Sequence, residues 1–114
     1  MVAKIDLPGD LLSAQRMLAL VGAGAYRGSI AKDASAACRA VEAAFPIAEP
    51  KRQLGRLEGV HMMLRALSFG GTITRAECQN AVYTLHQFLS DRFPAARMDP
   101  EELMAARSAA VPSC

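Results

Sequence analysis

Glu58-Gly59-Val60-His61 holds the clearest chemical potential in this chain, because an ExxH spacing sets a carboxylate and an imidazole on one helix face. Carboxylate-bridged di-metal bundles use that arrangement, but they need a second such pair and two further acids projecting inward. Here the pair stands alone, since the other histidine, His86, has Tyr83 three residues before it. His61 is therefore expected to border a helix seam, with Glu58 in solvent or partnered with Arg65. Cys38, Cys78 and Cys114 are widely spaced and form no CxxC or Cys/His grouping that closes a zinc site. The first two fall on apolar stripes, where a thiol is inert, and Cys114 is expected to be accessible but without an activating neighbour. Gly22 to Gly28 reads GxGxxxG rather than GxGxxG, and it follows a helical pattern where a phosphate-binding turn requires a strand. No Ser/His/Asp order or paired-carboxylate cleft is visible. The expectation is a non-enzyme with no catalytic residue, no cofactor and no metal.

The elements that would position these residues all read as helices. The stretch from Pro50 to Phe93 is expected to be two amphipathic helices folded across Gly70-Gly71. Its first arm, Pro50 to Phe69, spaces Leu54, Leu57, Val60, Met63, Leu64 and Leu67 by threes and fours, and its second, Arg75 to Arg92, does the same with Cys78, Ala81, Val82, Leu85, Phe88 and Leu89. Thr74-Arg75-Ala76-Glu77 is a capping-box sequence. Upstream, residues 1–9 read as an extended lead-in, and Asp10 as the cap of a first helix starting at Leu11. That helix is apolar almost all round. A second segment, Ser29 to Phe45, presents a face of small residues, and Pro46 to Glu49 links it to the third. Asp99-Pro100-Glu101-Glu102 signals a short last helix, followed by a flexible tail over residues 110–114. The reading is all-α: one domain over residues 1–114, a bundle of four to five helices, dimeric.

With 114 residues the chain is sized for one core. Thirteen basic residues against eleven acidic give a net charge of +2, too little for phosphate-driven binding, so no direct nucleic acid is expected. No run of about 20 apolar residues is free of charge, so no membrane span is expected, and the N-terminus does not read as a secretory signal. The expected location is the cytoplasm. What stands out is surplus apolar covering. A first helix greasy on all sides points to Leu12, Met17 and Leu20 as an outer contact surface, and Met62 and Phe69 fall outside the apolar arc of the third helix. These five residues are the candidate partner interface, and an isologous homodimer is one way to cover it. The alternative is a small DNA-binding regulator with a helix-turn-helix over residues 64–87, presenting Arg75, Gln79, Asn80 and Gln87.

In length and in wording such as Leu7-Pro8-Gly9-Asp10, Arg56-Leu57-Glu58-Gly59-Val60-His61 and Ala110-Val111-Pro112-Ser113-Cys114, the whole chain resembles the QslA family. Those are small helical anti-activators of LuxR-type quorum-sensing receptors, with LasR as the target. The resemblance implies a non-enzymatic protein that binds the receptor's ligand-binding domain, blocks its dimerisation and so prevents DNA binding. It supplies no interface residue.

Overall fold

The computed structural model describes residues 6–49, 51–96 and Glu101. Among them are four α-helices, α1 (Leu7–Gly22), α2 (Ile30–Ala44), α3 (Lys51–Ser68) and α4 (Arg75–Arg92), with short 3-10 turns at Phe45–Ile47 and Pro94–Ala96 and no strand. The expected last helix and the tail over residues 110–114 lie outside the described residues, apart from Glu101.

Helix α1 starts one turn before the position expected. Asp6, not Asp10, is the cap, its side chain accepting the Gly9 N–H at 3.2 Å. Pro8 causes the difference: in the first turn its missing N–H costs nothing, and its fixed φ suits the helix, so residues 7–9 are helical rather than extended. The chain then breaks between α1 and α2 instead of kinking. Gly24 at φ +70° and Gly28 at φ +129° take backbone conformations closed to most side chains, and Ser29 caps α2 by accepting the Lys32 N–H.

The hairpin follows the sequence closely. At the end of α3, Gly71 N–H bonds to Ala66 C=O at 2.8 Å and Gly70 N–H to Leu67 C=O at 3.1 Å, with Gly70 at φ +83°. That is a Schellman stop, and it needs glycine. Helix α4 opens with both halves of the capping box made, Glu77 N–H to Thr74 Oγ1 at 3.1 Å and Thr74 N–H to Glu77 Oε1 at 2.8 Å.

Around the bundle, α1 packs on α2 and α4, and α3 packs on the same two, so α1 and α3 stand diagonally with no Cα approach within 8 Å. Leu11, Leu18, Leu57, Leu64, Leu85 and Phe88 fill the shared centre. Small residues set the close approaches. Ala34, Ala37, Ala40 and Ala44 are all buried on α2, and a methyl added at Gly22 would stand 2.9 Å from Cys78 Cβ, so α1 and α4 nearly touch there.

Candidate interaction surfaces

Glu58 and His61 do not act together. His61 Nε2 meets Glu42 Oε1 of α2 at 3.0 Å and its ring lies edge-on to Phe45, with centroids 5.5 Å apart. Glu58 is exposed and forms no ion pair among the described residues; the partnership with Arg65 is not made. The Cys38 thiol lies against the same seam, 3.7 Å from His61 C=O. Burial pushes it up, with the Glu42 carboxylate adding to the effect and Arg65 opposing it. Cys78 is likewise raised, by burial first and Glu77 second. Both thiols are thus less ionised than a free cysteine, which is the opposite of nucleophile activation. Among the described residues no three of His, Cys, Asp or Glu gather where a metal ion could be held.

Among the described residues, grooves accompany two of the seams. One, of about 530 Å³ between α3 and α4, is lined by Arg52, Arg56, Tyr83, His86, Ser90 and Asp91. Its polar groups are largely engaged with each other: Arg56 Nη1 donates to Gln87 at 3.0 Å and Gln53 Nε2 to Asp91 at 3.5 Å. The His86 Nδ1 and Ser90 Oγ atoms have no hydrogen-bond partner among the described residues and are sealed from solvent. The other groove, about 320 Å³ between α1 and α2, is floored by alanines and edged by Asp10 and Asp33. Asp33 accepts the Tyr26 hydroxyl, and that hydrogen bond raises the phenol above its ordinary range.

Of the five candidate interface residues, the structure separates one from the rest. Met17 is only 5% exposed and belongs to the core, not to an outer surface. The physical reason is that α2 packs alongside α1 and covers Met17, which lines the α1–α2 groove with Ala37 and Ala40. Leu12 is half-buried, packed on the edge of the core, and Leu20 is 44% exposed. At about 100° per residue, Leu12, Arg16, Ala19 and Leu20 share one outward arc. On α3, Met62 and Phe69 are 71% and 78% exposed, and Arg65 Cζ lies 5.8 Å from the Phe69 ring centroid. They stand opposite the buried line of Leu57, Val60, Leu64 and Leu67.

Sequence reasoning missed the company Met62 and Phe69 keep. Gly55, Gly59 and Ala66 fall on the same outer line, and a Cβ added at either glycine would meet nothing within 4 Å. The signal was the alternation of fours and threes from Gly55 to Phe69, hidden because glycine does not count as apolar in a periodicity. Gln15 was missed for the converse reason. It is wholly buried, donating from Nε2 to Val82 C=O at 3.2 Å across the α1–α4 seam. No helix among the described residues is long and apolar enough to cross a membrane. No known protein family, characterised protein or solved structure matches the chain.

Proposed function

We propose that this chain is a non-enzymatic regulator that acts by contact, an anti-activator whose apolar helix face covers the surface through which a LuxR-type receptor pairs with itself. The supporting observation is the presence of two separate apolar faces, Leu12 with Leu20 on α1 and Met62 with Phe69 on α3, on helices with no Cα approach within 8 Å. A single bundle gains nothing by leaving such side chains in water, whereas a partner that covers them recovers about 25 cal/mol per Å². Two diagonal faces give room for two partners, the receptor's ligand-binding domain and a second copy of the chain. Held on the receptor, the α1 face stabilises a DNA-incompetent state by mass action. The setting for this activity is the cytoplasm, where LuxR-type receptors meet DNA.

The DNA-binding alternative draws less support. Gln53 reaches Asp91, Arg56 reaches Gln87 and Arg92 reaches the Glu49 carbonyl, so the contacts pair early α3 with late α4. That is an antiparallel hairpin, with its second helix lying alongside the first, whereas a recognition helix crosses its partner at about 90–120°. Light scattering of the chain with a LuxR-type ligand-binding domain, LasR-like in kind, tests the proposal. The expected result is a complex in which the receptor domain is no longer dimeric, lost when Leu12→Asp and Leu20→Asp are combined. Retention of binding by that variant while its helical signal is unchanged would refute the assignment to α1, and tight, salt-sensitive mobility shifts with duplex DNA would favour the alternative.

A further inference from the structure

We propose that the outer face of α3 pairs antiparallel with the same face of a second copy of this chain. The pairing rests on the two-face reading of the bundle and assigns one of those faces. A glycine inside a helix costs about 1 kcal/mol relative to alanine, and α3 carries two, Gly55 and Gly59. Nothing in the single chain uses the missing side chains, since open space surrounds both positions. Both sit on a line with Arg52, Met62, Ala66 and Phe69 in alternating steps of three and four. That alternation is the seam of two helices wound left-handedly about each other, and glycine in such a seam lets the axes approach closely.

Antiparallel packing fits this line to itself. Met62 falls opposite the copy's Gly59 and Ala66 opposite the copy's Gly55, so bulk meets a gap at each layer. Phe69 lies over the copy's Arg52, whose stem and guanidinium suit an aromatic face. Arg65 of the same chain already approaches the Phe69 ring, which stays largely exposed. In the same register Glu58 flanks the copy's Arg65, and the two-fold axis repeats the pair. Glu58 has no ion-pair partner within its own chain among the described residues. A parallel pairing would stack Met62 on Met62 and Gly59 on Gly59, matching bulk to bulk and gap to gap. Complementarity of both charge and size to itself is what a second copy supplies and an unrelated partner has no reason to share.

Sedimentation equilibrium of the full chain tests the pairing, with circular dichroism to confirm that each variant is folded. The wild type is expected to reach twice the chain mass as concentration rises. Glu58→Arg or Arg65→Glu, turning two attractive flanking pairs repulsive, weakens association roughly tenfold, and the two changes combined restore it. In a Cys114→Ser background, a Gly59→Cys chain mixed with a Met62→Cys chain is expected to form the disulfide between unlike chains in preference to either like pair. A monomeric wild type, reversals without effect, a combined variant that stays weak, or disulfides that join like chains in preference to unlike ones would each overturn the pairing. Receptor binding by the same samples separates the two readings. A monomer that still binds the ligand-binding domain sinks the pairing and spares the regulator, whereas a dimer without receptor affinity does the reverse.

Discussion

Met17 and Leu20 sit one turn apart on α1, and a substitution at each is expected to change a different property. Met17 is enclosed by its own chain, so Met17→Ala removes buried methylenes and leaves a cavity at a cost of about 2–5 kcal/mol. Leu20 already has nearly half its surface in water, and Leu20→Asp is expected to alter stability by under about 1 kcal/mol while weakening receptor binding. Urea denaturation alongside a binding titration distinguishes them. Equal losses of stability at the two positions would mean that Leu20 is core as well, and the α1 face would then have no function left to explain. Which of the two is buried was not legible in the sequence. A helix apolar on every side carries no periodicity to say where its neighbours lie, and only the packing of α2 and α4 decides. The partner of His61 was equally hidden, because Glu42 is on a different helix and no spacing along the chain points to it.

Helix boundaries are where the sequence was most informative, since caps and stops are local. The Thr74–Glu77 box and the Gly70-Gly71 stop both form as their residue types imply, because each closes its hydrogen bonds within a few residues. The start of α1 was misplaced for an equally local reason: Asp6 and Asp10 bracket Pro8, either acid can cap, and the fit of proline to the first turn settles the matter. The capping box also carries a pH signature. The Thr74 backbone N–H, and secondarily its hydroxyl, hold the Glu77 carboxyl below the usual carboxylate range. A carboxyl whose folded value is depressed stabilises the fold at pH above its unfolded value and loses that contribution as pH falls through the folded value. Glu77→Gln is therefore expected to lower the melting temperature at neutral pH and to match the wild type in acid. Thr74→Ala, removing the cap itself, is expected to cost about 1 kcal/mol at neutral pH. Thermal melts across the acid range test both, and a Glu77→Gln deficit that persists undiminished in acid would assign its effect to something other than the box.

At the scale of the molecule, the square arrangement keeps the two apolar faces on helices that share no close approach, with the common core between them. Perturbations at sites without shared contacts add, while those in one network do not. Self-association assigned to α3 and receptor binding assigned to α1 should then be separable by mutation. Leu20→Asp is expected to lower receptor affinity and leave the dimerisation constant unchanged, and Glu58→Arg to do the opposite. In the double variant each constant should equal that of the relevant single variant, within about 0.5 kcal/mol. A double-mutant cycle measured by sedimentation for pairing and by titration for the receptor tests this directly. Coupling well beyond that margin would require either that one partner spans both faces or that pairing through α3 shifts the seams beneath α1. The second route has a specific vulnerable point in Gly22 against Cys78, where α1 and α4 have no room to slide. Gly22→Ala, which forces those helices apart, would then alter both constants together, whereas with independent faces it lowers stability and leaves each constant unchanged.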